Sequence, residues 1–198
     1  MNPTIEPKGM TLTSPAFAQG ETIRRTCTAD GADVSPALQW NQAPAGTKSF
    51  AVTCRDSDAP GGTFIHWVIY NIPAAASGLP EGLPRQEKLT DGSIQGTNDF
   101  QETGYIGPNP PAGRVHNYHF ELCALDSMLP FETGVTAVRL HDLMKDHVLA
   151  TARLTGTYRR REPGKAEGRR TASRALTRLP REPLAAGRSH RQARLPSL

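Results

Sequence analysis

The sequence has few cysteines, few aromatic residues and no long hydrophobic run. Its 198 residues include 3 cysteines and 6% aromatic residues. No apolar run approaches the roughly 20 residues that a membrane-spanning helix needs. The first 15 residues, MNPTIEPKGMTLTSP, lack the apolar core of a secretory signal. These absences predict a protein that has no transmembrane segment and resides in the cytoplasm.

The cysteines show neither a CxxC pair nor the spacing of a zinc finger. An odd number of cysteines without a secretory signal predicts reduced thiols. Cys54 and Cys123 fall inside strand-like runs, which favours buried packing roles over metal or redox chemistry. The residues leave one alternative open, a Cys27–Cys54 bridge in an exported protein.

Common catalytic and cofactor motifs are also missing. The sequence has no GxSxG, no Walker loop, no GxGxxG and no HExxH. No activated serine or cysteine is evident from the residues, and no pattern requires a metal or a cofactor. The sequence therefore predicts a binding protein rather than an enzyme.

Charge is unevenly distributed along the chain. Residues 159–198 carry 12 basic and 3 acidic side chains, whereas residues 1–158 carry 11 basic and 16 acidic ones. The region after Tyr158 has no aromatic residue, valine or isoleucine, so it cannot bury enough apolar surface to fold. We predict a domain over 1–158 and a basic, Arg-rich disordered tail over 159–198.

The tail could serve as a basic arm for nucleic acid or acidic lipid. The simpler interpretation is a solvated extension without a specific partner, because charge runs are usually just solvated. We favour the simpler interpretation and do not expect a nucleic-acid partner.

The predicted domain is mainly β. The 17 prolines and 18 glycines of the whole chain suit a turn-rich sheet protein. β-Branched, aromatic and alternating runs predict four strands, at residues 49–56, 64–72, 116–125 and 149–158. An apolar stripe of Leu140, Leu143, Met144 and Val148 predicts one helix over 136–148, with Thr136 as its N-cap.

Five polar side chains fall at strand ends: Asp56, Asp58, His66, His116 and Tyr118. Imidazolium and phenol groups donate hydrogen bonds to anions, and an aspartate beside a histidine fixes the ring's tautomer. Taken singly, each residue has an ordinary structural explanation as a core or turn residue. We hypothesise that these five side chains converge on one pocket.

A long loop over 98–115 is rich in glycine, proline and asparagine, and loops of this length usually have a function or are disordered. We expect its prolines to stiffen one wall of the pocket and its glycines to allow close backbone approach. The residues concerned are Pro108, Pro110, Pro111, Gly107 and Gly113.

Several ordered motifs resemble the phosphatidylethanolamine-binding protein family, in particular its bacterial, Raf-kinase-inhibitor-like branch. They are DSDAP at 56–60, IHWVIYNIP at 65–73 and NDFQETGYIGPNPPAGRVHNYHFELCALD at 98–126. SPALQW at 35–40 and HVLATARLTGTY at 147–158 also fit. The resemblance covers roughly residues 9–158.

The resemblance implies a β-sandwich around a large central sheet with a few short helices. It implies a pocket for phosphate or a phospholipid head group, and thereby regulation of a kinase or another signalling enzyme. The implied ligand-binding residues are Asp56, Asp58, His66, Pro110, Pro111, His116 and Tyr118, with Asp58 and Pro60 mainly shaping the loop. A homodimer and a cis X–Pro bond, before Pro60 or within 107–111, also follow from the resemblance.

Three residues depart from the family pattern. Ser57 stands where proline is usual, Gln101 where glycine is common, and Asn109 where bacterial members often have cysteine. None of these changes removes a proposed anion donor. The alternative function is a phosphoester hydrolase or metal-dependent enzyme that uses Asp56, His66 and His116.

Overall fold

The computed structural model describes residues 9–161, which form two β-sheets, one α-helix and one short 3-10 helix. The strands are β1 (Thr11–Thr13), β2 (Leu38–Asn41), β3 (Ser49–Asp56), β4 (Phe64–Pro73), β5 (Gly78–Leu79), β6 (Ile94–Gln95), β7 (Val115–Leu125) and β8 (Val148–Arg159). The helix is α1 (Ala137–Met144), and the 3-10 helix spans Arg25–Cys27. The predicted fold class, mainly β with a large central sheet, is confirmed.

The larger sheet has five strands in the order β6-β4-β3-β7-β8. Its long strands are antiparallel, and β3 lies between β4 and β7. Nearly every residue of β3 and β4 is buried or half-buried, as expected for central strands covered on both faces. Asp56, the last residue of β3, pairs with Phe64 of β4 and with Tyr118 of β7. The C-terminal end of β3 and the N-terminal ends of β4 and β7 therefore meet at one end of this sheet.

The smaller sheet, in the order β1-β2-β5, packs on one face of the larger one. Leu38 and Trp40 of β2 share a hydrophobic cluster with Phe50, Phe120 and other side chains of the central strands. Burying aromatic and aliphatic side chains between the two layers supplies much of the stabilisation, at about 25 cal/mol per Å² of apolar surface.

Helix α1 covers part of the opposite face. Leu140 and Met144 pack in a second cluster with Val68 and Tyr70 of β4. The predicted N-cap is confirmed, because the Thr136 hydroxyl accepts a hydrogen bond from the Arg139 backbone N–H at 3.3 Å. The predicted C-terminal end is wrong: the helix stops at Met144, and Val148 is the first residue of β8.

The four predicted strands are present with small changes at their ends. β3 has the predicted bounds, whereas β4, β7 and β8 are each extended by one or two residues. The short strands β1, β2, β5 and β6 were not predicted, since runs of two to four residues carry little periodicity.

The three cysteines are free and buried, as the reduced-thiol prediction required, so the alternative Cys27–Cys54 bridge is not formed. The expected cis X–Pro bond is wrong, since every peptide bond in residues 9–161 is trans. The loop instead takes the ordinary trans form, which X–Pro bonds favour by about 0.5–1 kcal/mol.

The first residues of the predicted tail belong to the fold. Arg159 ends β8, and the Arg160 guanidinium lies 3.1 Å from the Asp30 carboxylate and donates to the Asn109 side chain at 2.9 Å. Residues 162–198, the rest of that predicted tail, lie outside the described residues. Within 9–161, no helix has the length and apolarity that crossing a membrane requires.

Candidate functional site

A β-bulge in β4 orients His66. Cys54 of β3 pairs with Trp67, and the next residue, Arg55, pairs with Ile65, so His66 is the extra residue between two ladder pairs. A bulge of this kind places two consecutive side chains on nearly the same face. The His66 ring consequently lies 5.2 Å from the ring of Tyr118, measured between centroids.

Asp56 and His116 form a buried pair at the same end of the large sheet. Strand alternation puts His116 and Tyr118 on one face of β7, and Asp56 pairs with Tyr118 across the β3–β7 ladder. His116 Nδ1 lies 2.7 Å from Asp56 Oδ2, and both side chains are about 95% buried or more. The carboxylate accepts a hydrogen bond from Nδ1–H, which leaves the Nε2 edge of the ring for another partner.

His66 is held by the backbone of the long loop. Its Nδ1 lies 2.7 Å from the carbonyl oxygen of Ile106, and since a carbonyl only accepts, Nδ1 carries the proton. Burial lowers the pKa of His66 below its ordinary value, although the Ile106 carbonyl and the Asp56 charge act in the opposite sense. The neutral ring then presents Nε2 as a hydrogen-bond acceptor.

The Tyr118 hydroxyl is a buried donor without a hydrogen-bond partner among the described residues. Burial raises the pKa of Tyr118 strongly, and the nearby Asp56 carboxylate raises it further, although the two groups do not meet in hydrogen-bonding geometry. The phenol therefore keeps its proton. A buried unsatisfied polar group costs about 1–3 kcal/mol and commonly marks a functional position.

Asp58 has a different role from the buried groups. It is exposed, and its Oδ2 accepts hydrogen bonds from the backbone and side-chain N–H groups of Asn117, at 2.7 and 2.8 Å. The backbone bond from Asn117 is the main cause that lowers the pKa of Asp58. Asp56 Oδ1 accepts from the Asp58 backbone N–H at 2.8 Å. Asp58 thus fixes the turn after β3 against β7.

The two loop prolines are placed differently from each other. Pro110 is buried and Pro111 is exposed. The structure therefore brings Asp56, His66, His116 and Tyr118 together, and it places Asp58 and Pro111 on the exposed surface.

Two aromatic residues beside His66 were missed by the sequence analysis. The rings of Phe64 and Phe100 lie 5.4 and 5.7 Å from the His66 ring and 4.8 Å from each other. Phe64 could have been suspected from its position two residues before His66. Phe100 could not, because only two hydrogen bonds show that its loop folds against β4: the Asp99 backbone N–H donates to the Ile65 carbonyl, and the Ile65 backbone N–H donates to the Asp99 carboxylate.

The loop at Gly107 packs tightly against the 3-10 helix region. A Cβ atom at Gly107 would lie 2.4 Å from the Cys27 carbonyl oxygen and 2.7 Å from the Thr28 Cα. The Gly107 backbone N–H donates to Asp33 Oδ1 at 2.7 Å, and Asp33 also accepts from the Arg85 guanidinium. These contacts fix the Ile106 carbonyl that orients His66.

Within residues 9–161, no group of three or more histidine, cysteine, aspartate or glutamate side chains is arranged to hold a metal ion. The site is therefore a cluster of hydrogen-bonding groups: a phenol donor, a His–Asp pair and a neutral imidazole acceptor, with an aromatic wall.

A comparison with protein families identifies the family of this chain. The family described as phosphatidylethanolamine-binding protein matches residues 13–159. The chain belongs to this family. The match ends at Arg159, which is also the last residue of β8.

Individual relatives agree with this assignment. A UPF0098 protein of Methanothermobacter thermautotrophicus is 45% identical over 151 residues, which cover 76% of this chain and 99% of the relative. UPF0098 protein YbhB of Escherichia coli is 41% identical over 132 residues, 65% of this chain and 84% of YbhB. The chain is thus similar to bacterial and archaeal members over nearly their whole length.

Solved structures show the same fold. CT736 of Chlamydia trachomatis, described as a homologue of phosphatidylethanolamine-binding protein, superposes with a TM-score of 0.71 at 37% identity, covering 77% of this chain and 98% of CT736. E. coli YbcL, described as a new member of the mammalian family, gives a TM-score of 0.71 at 35% identity, covering 76% and 98%.

Proposed function

We propose that this protein binds a phosphate-bearing small ligand or a phospholipid head group at the cluster of Asp56, His66, His116 and Tyr118. The observation that carries this proposal is the Tyr118 hydroxyl, a buried donor that has no partner among the described residues, on a ring whose centroid lies 5.2 Å from that of His66. A ligand oxygen that accepts from this hydroxyl would remove the cost of its burial.

The other groups suit a phosphate monoester. The Nε2 atom of His116 can donate when the ring is protonated, and the Asp56 carboxylate provides the countercharge at 2.7 Å. The neutral His66 ring can accept a hydrogen bond from a protonated phosphate oxygen. A singly protonated phosphate carries both kinds of oxygen, so the site matches its donor and acceptor pattern.

We propose that the protein binds its ligand at this cluster without catalysing a reaction there. The nearest thiol, Cys54, is fully buried, and burial raises its pKa well above the ordinary value, so it is not a ready nucleophile. The alternative, a phosphoester hydrolase or metal-dependent enzyme, would need a nucleophile or a metal-activated water at the cluster. A phosphatase assay with added divalent metal ions distinguishes the two.

The biological setting is a proposal that rests on family resemblance. We propose that ligand binding lets the protein regulate a kinase or another signalling enzyme in the cytoplasm, and that it acts as a homodimer. Size-exclusion chromatography with light scattering tests the dimer, and an affinity purification with and without phosphorylethanolamine tests ligand-dependent partners.

A thermal-shift titration tests the binding site. The intact protein is titrated with phosphate and with phosphorylethanolamine, alongside His116→Ala and the control Lys145→Ala, which changes a charge at the C-cap of α1. A ligand at 100 times its dissociation constant adds about 2.7 kcal/mol of stability, or roughly 5 to 10 °C in Tm. We expect this rise in the wild type and in Lys145→Ala, and its loss in His116→Ala. Equal rises in both variants would contradict the site.

A further inference from the structure

A serine and a histidine meet on the other face of the large sheet. Ser57 Oγ lies 3.1 Å from His119 Nε2, and His119 Nδ1 lies 2.9 Å from Thr155 Oγ1. Ser57 is exposed and His119 is half-buried. Strand alternation turns Ser57 away from Asp56 and His119 away from Tyr118, so this pair is separate from the proposed anion site.

The strand register explains why the three side chains meet. Arg55 pairs with His119 across β3 and β7, and His119 pairs with Thr155 across β7 and β8. These three residues therefore form one row on the sheet surface. Ser57 follows Arg55 by two residues and lies on the same face, which brings its hydroxyl diagonally over His119.

The surrounding charges favour a neutral His119. Burial lowers its pKa below the ordinary value, and the Arg153 and Arg55 guanidinium groups lower it further, against the opposing effect of Asp58 and Asp56. The Thr155 hydroxyl can accept a hydrogen bond from Nδ1–H, and in that tautomer the neutral ring accepts a proton at Nε2.

The Ser57 hydroxyl contacts two possible acceptors, and the His119 imidazole is the nearer of the two. The Ser57 hydroxyl also lies 3.4 Å from Asp58 Oδ2, but the distance to His119 Nε2 is 3.1 Å. Asp58 is already bonded to both N–H groups of Asn117. His119 is therefore the better acceptor for the Ser57 proton.

We propose that Ser57 and His119 form a nucleophile–base pair that takes up an acyl group from activated carboxylic esters. Ser57 Oγ attacks the ester carbonyl carbon while its proton passes to His119 Nε2. The bond between the acyl carbon and the leaving oxygen breaks, and the leaving oxygen takes the proton from His119. The products are an acyl-Ser57 ester and the free alcohol or phenol, with no other reactant.

Two cations lie beside the pair. Arg153 and Arg55 both contact the Glu121 carboxylate, at 2.6 and 3.7 Å, while the Asp58 carboxylate lies 3.4 Å from the Ser57 hydroxyl. The two guanidinium groups offset these carboxylates, and they favour the neutral form of His119, which accepts the Ser57 proton. No short-range sequence pattern indicates this pair, because Ser57 and His119 are 62 residues apart.

Acetylation by p-nitrophenyl acetate tests the proposal. The intact protein is incubated with the ester at pH 7.5, and acetyl groups are located by peptide mass spectrometry. We expect acetylation at Ser57 in the wild type and in the control Ser77→Ala, an exposed serine of another loop. Ser57→Ala should lose this label, and His119→Gln should slow Ser57 acetylation about 100-fold. Acetylation of Ser57 at an unchanged rate in His119→Gln would overturn the proposal.

The pH profile distinguishes a base from a merely structural histidine. The charged groups on the His119 face are Arg55 and Asp58 from the β3 side, Glu121 on β7, and Arg153 on β8, while Asp56 acts on His119 from the opposite face of the sheet. We expect the rate to rise as His119 loses its proton and to level off above pH 7. A rate that keeps rising in proportion to hydroxide would overturn the proposal. Unchanged Tm values and phosphate responses in both variants would show that folding and the anion site are intact.

Discussion

His66 and Ile106 are joined by two hydrogen bonds: the His66 ring donates from Nδ1 to the Ile106 carbonyl at 2.7 Å, and the Ile106 backbone N–H donates to the His66 carbonyl at 3.0 Å. The ring and the long loop therefore fix each other. A loop that moved away would release both the His66 tautomer and one wall of the site. Binding at the cluster thus depends on residues that do not touch the ligand.

Tyr118→Phe should separate binding from stability. The variant removes a buried hydroxyl that lacks a partner among the described residues, so the free energy of unfolding should stay the same or rise by about 1 kcal/mol. Phosphate affinity should fall about tenfold, the value of one hydrogen bond to a charged group. Urea unfolding and a phosphate titration measure the two effects.

Tyr105→Phe is the matched control, because the buried Tyr105 hydroxyl donates to the Cys27 carbonyl at 2.7 Å. Its removal should cost about 1–2 kcal/mol of stability and leave phosphate affinity unchanged. If Tyr118→Phe behaved like this control, the Tyr118 hydroxyl would have a structural role instead.

Asp56→Ala should destabilise the fold strongly. The change leaves His116 buried without its carboxylate partner, and breaking a buried pair in this way costs about 3 kcal/mol. The exposed Asp142 on α1 gives the control, since Asp142→Ala should change stability by less than about 0.5 kcal/mol. Urea unfolding at pH 7 measures both variants, and a similar small loss in each would contradict the importance of the pair.

Stability should fall as the solution is acidified through the range where His66 would ordinarily gain its proton. Burial lowers the pKa of His66 in the folded protein, so the unfolded chain binds the proton first. The contribution of neutral His66 to the free energy of unfolding is present above the pKa of the unfolded chain, about 6.5. It is lost as the pH falls from there toward the lower pKa of the folded protein. The free energy of unfolding should therefore rise with pH across this window.

His66→Gln should flatten this dependence, whereas His141→Gln, on the exposed side of α1, should leave it unchanged. Urea titrations between pH 5 and pH 8 give the slopes. A slope in His66→Gln that equals the wild-type slope would show that other groups cause the dependence, among them His119, whose pKa is also lowered.

Gly107→Ala should disturb the loop that carries Ile106. The added Cβ would meet the Cys27 carbonyl and the Thr28 backbone, neither of which can move as a flexible side chain does. We expect a loss of about 1–3 kcal/mol and weaker phosphate binding. Gly61→Ala is the control, because a Cβ there meets no atom within 4 Å. Equal stability of the two variants, measured by urea unfolding, would contradict the packing at Gly107.

Strand periodicity was sufficient to predict the four long strands of the central sheet. The runs around Cys54 and Phe120 alternate or are continuously apolar, and both lie in strands with nearly the predicted bounds. The end of α1 was missed because Val148 continues an apolar helical stripe, yet Val148 begins β8 and its backbone pairs with Leu125 of β7. Tertiary pairing decided that residue against its local pattern.

The candidate site was predicted less completely than the sheet. The residues themselves indicated His116 and Tyr118 on one face, but His66 reaches that face only through a bulge that no residue type announces. The carbonyl of Ile106 and the ring of Phe100 come from a loop whose path depends on long-range backbone bonds. Short-range patterns do not contain such information.

The bulge at His66 makes the site depend on the number of residues in β4 as well as on their identity. Deleting one residue between Phe64 and Trp67 would restore a regular ladder and remove the extra position from which His66 faces Tyr118. A change of length in β4 should thus abolish the site even where every remaining side chain of the strand is kept.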